Sequence, residues 1–279
     1  TQSRSSAASD VYKRQIMMRI PKVIHLCWFS GDEYPDIIKK CIDSWRRVLP
    51  DFEIKIWTKE MALETNILYV KEAISVRKWA FAADVIRLWA VYHEGGVYMD
   101  SDIYILQRFD AFMKNKLVFF QEYHENMLYK YSMSNKLDDR GKNLSSSNIK
   151  GCGVQAAFFM GEPGSPVLKE MLAYYMGRRF IQDDNIFDVQ LISPDVYAKI
   201  LEKYGYCYVD KKQELDFDTM IYPSHFVAGG YDEYQESNFA VHCVAHSWCE
   251  QSIRGKIIKY VRSLVDKALC RPNIPVWLK

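Results

Sequence analysis

The first patterned stretch of the chain has the order strand, helix, strand. An apolar run over Val23–Phe29 predicts a buried strand, Pro35–Val48 predicts a helix that ends before Pro50, and Glu53–Trp57 alternates like a second strand. This order favours neighbouring parallel strands, which bind ligands beyond their carboxyl ends. With 279 residues, 49% of them hydrophobic, the chain is long enough for one large α/β domain.

A long apolar helix leads into a pair of acidic residues. Val76–Glu94 has helical periodicity, and Gly95–Gly96 predicts where that helix ends. Val97–Leu106 then predicts a single strand that carries Asp100 and Asp102 in its second half. Alternate residues of a strand face the same way, roughly 6.5–7 Å apart. Two carboxylates placed in this way are suited to a hard divalent cation such as Mn²⁺ or Mg²⁺.

A D-x-D sequence alone is weak evidence for a metal site, because a second one occurs at Asp216–Asp218 and is interpreted as a solvated surface pair. The residues around Asp100 and Asp102 therefore matter. In the preceding helix, Asp84 and Arg87 are three residues apart and share one helical face. Their neighbours are almost all apolar, which predicts at least partial burial of the charge pair. A buried arginine of this kind suits a diphosphate, whereas the alternative is a plain ion pair within the helix.

The remaining elements are predicted from shorter runs. The predicted strands are Leu117–Gln121, Ala156–Met160 and Phe239–Ala245, and the predicted helices are Val167–Met176 and Ser193–Tyr204. Residues 122–150 lack a steady period and are predicted to form a long, partly ordered excursion. The tyrosines of this excursion are candidate sugar platforms that would shape acceptor choice.

Three segments resemble one enzyme family. The run Ala80–Asp102 resembles the signature of glycosyltransferase family 32, Ile20–Trp28 is similar to the first strand of that family, and Ala240–Trp248 resembles its C-terminal H-x-x-x-x-S-W element. The resemblance implies a GT-A type fold, with a Rossmann-like mixed sheet flanked by helices. It also implies a UDP- or GDP-linked sugar donor, a divalent metal, a glycan acceptor and transfer with retention of anomeric configuration.

The resemblance also implies roles for residues near the metal. Asp100 and Asp102 would bind the metal and the diphosphate, and His242 would be a late metal ligand. Asp84 and Arg87 would hold the donor sugar and phosphate, so Asp84, Arg87 and Asp102 are the expected catalytic residues. Without the resemblance, His242 alternates with apolar residues and would be interpreted as a core histidine.

Further donor contacts follow from the same resemblance. Trp28 would lie near the nucleotide base, with plain core packing as the alternative. Gln155 would contact the donor, and Ser247 with Trp248 would close over the phosphates. The chain departs from the family at His246, where relatives usually have a small residue, and this puts the closing loop in question.

Other readings of these motifs remain open. Zinc binding by the compact group His242, Cys243, His246 and Cys249 is one, although its spacing matches no common structural site. A phosphatase of the haloacid dehalogenase type also places D-x-D after an apolar strand, but it expects Thr or Val where Tyr104 stands. A non-catalytic sugar-binding relative is the third alternative.

The two ends of the chain are separate from the predicted domain. Residues 1–17 are interpreted as a non-native or disordered extension, 18–250 as the GT-A domain and 251–279 as a C-terminal helical extension. Ile253–Leu269 predicts a basic amphipathic helix, either packed on the domain or lying on an anionic membrane through residues 252–271.

Composition gives a few further limits. The net charge of +2 gives no reason to expect a nucleic acid partner. The seven cysteines form no C-x-x-C pair, which favours reduced thiols and a cytoplasmic protein. If residues 252–271 lie on a membrane, the protein would be peripheral at its inner face. No apolar run reaches the roughly 18 residues that a membrane-spanning helix needs.

Overall fold

The computed structural model describes residues 19–183, 186–189 and 192–243. Its strands are β1 (Val23–Cys27), β2 (Glu53–Trp57), β3 (Gly96–Met99), β4 (Ile103–Ile105), β5 (Leu117–Tyr123), β6 (Cys152–Gly161), β7 (Gln213–Leu215), β8 (Thr219–Tyr222), β9 (Val227–Ala228) and β10 (Ala240–His242). Its α-helices are α1 (Asp36–Val48), α2 (Lys59–Glu64), α3 (Leu68–Ser75), α4 (Trp79–Glu94), α5 (Glu125–Lys130), α6 (Pro166–Met176) and α7 (Ser193–Leu201).

Seven strands form one mixed sheet in the order β2-β1-β3-β6-β5-β8-β7. The strands β1, β2 and β3 run parallel to one another, and β5 runs parallel to β8. The strand β6 is antiparallel to both β3 and β5, so β1, β3 and β5 all end at the same edge of the sheet. A second, smaller sheet has the order β4-β10-β9. The predicted Rossmann-like mixed α/β architecture with flanking helices is confirmed.

Helices cover both faces of the large sheet. Along β3, Val97 and Met99 belong to the apolar cluster that includes Trp45 of α1, whereas Tyr98 belongs to the cluster that includes Leu88 of α4. Successive strand residues point to opposite faces, so each face needs its own apolar cover. Strands that are buried on both faces read as continuous apolar runs, which explains the composition of β3 and β5.

Gly96 lets β3 lie close to β1. Its φ of +109° belongs to the region that favours glycine, and a Cβ added there would lie 2.5 Å from the Val23 carbonyl oxygen. Gly96→Ala is therefore expected to lower the free energy of unfolding by at least about 2 kcal/mol, as measured by urea denaturation. Gly205→Ala is the matched control, because φ there is +97° but no atom lies within 4 Å of the added Cβ. Equal losses in the two variants would contradict the close approach.

The prediction of one strand over Val97–Leu106 is wrong in its middle. The strand β3 ends at Met99, β4 begins at Ile103, and Asp100–Asp102 forms the turn between them. The chain leaves the large sheet and enters the small one at this point, and the Ile103 amide donates to the Asp100 carbonyl at 3.0 Å. The two acids therefore extend from a turn and not from alternate positions of a strand.

Other boundaries differ in smaller ways. The helix predicted from Val76 begins at Trp79, since Arg77 has a φ of +56° and separates α4 from α3. The excursion predicted over residues 122–150 contains the end of β5, the short helix α5 and a 3₁₀ turn at Met133–Lys136. The predicted extension 1–17 and the C-terminal helix within 251–279 lie outside the described residues, so those domain boundaries stay predictions.

Within the described ranges, no helix is both long enough and apolar enough to cross a membrane.

Candidate active site

A cavity of about 660 Å³ opens at the edge of the large sheet where β1, β3 and β5 end. This is the size and position expected of a small-molecule site in an open α/β sheet. The predicted site residues that line it are Trp28, Asp84, Arg87, Asp100, Asp102, Gln155 and His242. The fold thus brings together every predicted site residue that lies in the described part of the chain.

Asp100 is held by two neighbours on the large sheet and helix α4. The Tyr98 hydroxyl donates to the Asp100 carboxylate at 2.6 Å, and Arg87 Nη2 lies 3.4 Å from the same oxygen. The Asp100 amide donates to the Ala157 carbonyl of β6 at 2.8 Å, so the start of the turn is still tied to the sheet. Both side-chain contacts are to one carboxylate oxygen of Asp100, and the residue lines the cavity.

Asp84 and Arg87 form the charge pair whose at least partial burial the sequence predicts, with Asp84 partly and Arg87 almost fully buried. Arg87 Nη2 lies 3.1 Å from the Asp84 carboxylate, and only 5% of Arg87 is exposed. Burial raises the pKa of Asp84, against the opposing effects of Arg87 and a hydrogen bond from Ser193. Burial disfavours the charge of Arg87, but the nearby Asp100, Tyr98 and Asp84 raise its pKa well above the usual value. Arg87 is therefore a fixed cation beside two carboxylates.

The small sheet carries His242 to the acidic turn. His242 pairs with Ile103 across β10 and β4, and the Cys243 amide donates to the Asp102 carbonyl at 2.8 Å. His242 Nε2 lies 3.3 Å from the Asp102 carboxylate. Burial lowers the pKa of His242, but the hydrogen bond and charge of Asp102, followed by the charge of Asp100, raise it to about 9.

Asp100, Asp102 and His242 together form a candidate metal centre. One ligand atom from each residue lies within 4.8 Å of the other two. The strand pairing between β4 and β10 explains how residues 140 positions apart in the chain meet here. The turn is further anchored by α1, where the Trp45 indole donates to the Ile103 carbonyl at 2.6 Å.

Trp28 and Gln155 occupy different parts of the cavity wall. Trp28 follows β1, its ring lies 4.7 Å from that of Tyr34, and its indole donates to the Asp32 carbonyl at 2.8 Å. Gln155 lies on β6 and is 2% exposed, and its Oε1 has no hydrogen-bond partner among the described residues. A buried acceptor without a partner is costly unless a ligand donates to it.

The segment after Cys243 lies outside the described residues, and with it Ser247, Trp248 and His246. The Cys243 thiol lies 3.8 Å from the Cys41 thiol in a separate small cluster that also contains Tyr104. The Cys243 thiol therefore does not face the cavity together with His242. The described residues give no support to zinc binding by the group His242, Cys243, His246 and Cys249. The second pair, Asp216–Asp218, lies in a short exposed turn away from the cavity, as predicted.

Several residues of the cavity were missed by reasoning from sequence. Tyr98, which orients Asp100, reads as an ordinary aromatic strand residue. Ser193 reads only as the start of a helix, yet it lines the cavity and lowers the pKa of Asp84. Glu122 and His124 at the end of β5 also line the cavity. Their one sequence signal is that they follow the carboxyl end of a buried strand.

The chain is similar to several known proteins and spans less than a third of the length of the curated relative given first. The chain is similar to inositol phosphoceramide mannosyltransferase 2 of Schizosaccharomyces pombe, with 34% identity over 98 residues, which cover 34% of this chain and 28% of that relative. Among solved structures, it is similar to the PaToxG glycosyltransferase, with 17% identity, a TM-score of 0.44 and coverage of 71% of this chain and 77% of that one. It is also similar to mouse xyloside xylosyltransferase 1, with 8% identity, a TM-score of 0.45 and coverage of 80% and 98%.

One family model accounts for most of the chain. The model described as capsular polysaccharide synthesis protein matches residues 2–212. This match includes α4, β3 and the acidic turn, although not His242. Because it covers well over half of the sequence, the chain belongs to the capsular polysaccharide synthesis protein family.

Proposed function

We propose that the chain is a metal-dependent, retaining glycosyltransferase of the GT-A type, related to glycosyltransferase family 32. It would move a sugar from a UDP- or GDP-linked donor to a hydroxyl of a glycan or lipid-linked glycan in surface polysaccharide synthesis. The observation that carries the proposal is the meeting of Asp100, Asp102 and His242 at the ligand-binding edge of the sheet. Membership of the capsular family and similarity to a mannosyltransferase support it.

The donor set fits a hard or borderline divalent cation. Two carboxylates and one imidazole are ligands that Mn²⁺ and Mg²⁺ accept, and no thiolate takes part among the described residues. Asp100, Asp102 and His242 would hold the ion. When bound, it supplies positive charge that neutralises the departing nucleoside diphosphate.

The other residues have roles that follow from their chemistry. Arg87 would donate to a phosphate oxygen, and Asp84 would accept from a hydroxyl of the donor sugar. Trp28 would stack near the base, and the Oε1 of Gln155 would accept a hydrogen bond from the donor. Roles for Ser247 and Trp248 over the phosphates, and contact of residues 252–271 with a membrane, remain parts of the same proposal.

For retention of configuration, we propose front-face transfer, in which the leaving phosphate accepts the proton of the attacking hydroxyl. Detection of a glycosyl-enzyme adduct by mass spectrometry would count against this route.

For the phosphatase alternative, Asp100 would have to act as a nucleophile. One of its carboxylate oxygens is already engaged by Tyr98 and Arg87, which gives that alternative no support.

Release of nucleotide from a sugar donor tests the proposal. With Mn²⁺ present, the chain is expected to hydrolyse at least one of UDP-glucose, UDP-galactose and GDP-mannose slowly, and excess EDTA is expected to abolish the activity. Readdition of Mn²⁺ should restore it, because the ligand set is oxygen-rich and accessible from the cavity. Phosphate release from p-nitrophenyl phosphate, without any release from nucleotide sugars, would favour the phosphatase reading.

A further inference from the structure

A second group of titratable side chains lies around the end of β5, where two of its three members line the cavity. It consists of Glu122 and His124, which line the cavity, and Glu233, which lies beside His124 on a 3₁₀ turn; we call it the β5 cluster. His124 Nε2 lies 3.4 Å from the Glu122 carboxylate, and His124 Nδ1 lies 3.7 Å from the Glu233 carboxylate. The proposed donor chemistry uses none of these three residues.

The β5 cluster is held in place by the backbone around it. The Gly229 amide donates to the Glu233 carboxylate at 2.8 Å, and Gly229 itself lines the cavity. The His124 amide donates to the Gly151 carbonyl at 2.7 Å, which fixes the chain just beyond β5. The three side chains are between 25% and 42% exposed, so a molecule from solvent can reach them.

The order of strands gives the position of the cluster relative to the donor site. Trp28 follows β1, Asp100 follows β3, Gln155 lies on β6 and Glu122 lies on β5, and these four strands are consecutive in the sheet. Neighbouring strands are about 4.8 Å apart, so β5 lies roughly 10 Å from β3. A donor that places its base near Trp28 and its diphosphate near Asp100 would direct its sugar toward Gln155. The β5 cluster then lies one sugar further along the cavity.

The charges along this wall select the kind of sugar that fits. Among the described lining residues, the carboxylates are Asp32, Glu33, Asp84, Asp100, Asp102 and Glu122. Arg87 pairs with Asp84 and Asp100, and its remaining donors are assigned to the donor phosphate and not to the acceptor. Carboxylates accept hydrogen bonds from hydroxyl groups, whereas an anionic group beside Glu122 and Glu233 would meet like charge.

We propose that Glu122, His124 and Glu233 form the acceptor subsite, and that this subsite takes an uncharged sugar through its hydroxyl groups and disfavours a uronic acid. The inference rests on the proposed glycosyltransferase function and adds the class of acceptor to it. Glu122 and Glu233 accept hydrogen bonds from the sugar hydroxyls, and His124 between them fixes the direction in which both carboxylates point.

Binding of simple glycosides tests the subsite without requiring turnover. The full chain is saturated with the diamagnetic ion Mg²⁺ and with either UDP or GDP, and saturation-transfer NMR measures binding of the methyl α-glycosides of mannose, glucose and galactose. The methyl α-glycosides of glucuronic and galacturonic acid are the charged counterparts. At least one neutral glycoside is expected to bind, at least tenfold more tightly than its uronide.

Variants then locate the binding. Glu122→Gln and His124→Ala are each expected to weaken binding of the neutral glycoside at least tenfold. Glu122→Gln should also reduce the ratio of the affinity for the neutral glycoside to the affinity for its uronide. Glu125→Gln, three residues further along and exposed, is the matched control and should bind like the unaltered chain. Thermal unfolding curves establish that each variant is folded.

Three results would overturn the acceptor subsite: no neutral glycoside binds, the uronides bind as well as the neutral sugars, or both cluster variants bind like the unaltered chain. Failure of the proposed function has a different signature, since it would show as the absence of Mn²⁺-dependent nucleotide release from the unaltered chain.

Discussion

Asp102→Asn is expected to lower Mn²⁺-dependent release of nucleotide from the sugar donor by about 10³-fold, equivalent to roughly 4 kcal/mol of transition-state stabilisation. The substitution keeps the size of the side chain but removes one of the two negative charges at the candidate metal centre. It also leaves His242 beside a neutral amide in place of a carboxylate 3.3 Å away. Initial rates at saturating Mn²⁺ and donor measure the loss.

The second D-x-D sequence supplies the matched control for this variant. Asp216 is an exposed residue of the turn Asp216–Asp218, outside the cavity, so Asp216→Asn should leave the rate within about twofold. Thermal unfolding of both variants separates loss of chemistry from loss of fold. An Asp102→Asn chain as active as the unaltered chain would overturn the assignment of this turn.

Arg87→Met is expected to cause the largest loss of stability among single substitutions near the cavity, about 3–5 kcal/mol. The guanidinium is almost fully buried, lies against the carboxylates of Asp84 and Asp100, and sits 4.8 Å above the centre of the Tyr98 ring. Removing it leaves Asp84 in a buried position without its cation. For a domain of this size, the loss corresponds to a fall in Tm of roughly 10 °C.

An exposed pair with the same spacing provides the comparison. Arg46 lies 3.1 Å from Asp43, also three residues away on a helix, but both side chains are about two-thirds exposed, at 68% and 66%. Arg46→Met should change the free energy of unfolding by less than about 0.5 kcal/mol. Adding Asp84→Asn to Arg87→Met should restore part of the lost stability, because it removes one orphaned charge. Equal effects of Arg87→Met and Arg46→Met would contradict the buried network.

Much of this site could be predicted from local sequence. The apolar surroundings of Asp84 and Arg87 indicate burial, and the structure confirms it. The glycines and apolar strand before Asp100 mark the point where the chain reaches the edge of the sheet that borders the cavity. These features depend on residues close together in the chain, where periodicity and composition are informative.

The rest depends on contacts that local patterns do not record. The strand predicted through Asp100 and Asp102 is a turn, because residues 103–105 pair with β10, more than 130 positions away. For the same reason, His242 reads as a core residue until its strand is placed beside β4. Glu122 and Glu233 meet at His124 only after β5, β6 and the turn near Gly229 have packed together.

The proposed function requires that Asp100, Asp102 and His242 hold a divalent cation beside a nucleoside diphosphate. Anomalous diffraction at a wavelength near the manganese edge, from crystals grown with MnCl₂ and UDP or GDP, tests it most directly. The expected result is one strong manganese peak within bonding distance of these residues, with the diphosphate between the ion and Arg87. A manganese peak elsewhere, with none beside the Asp100–Asp102 turn, would contradict the account.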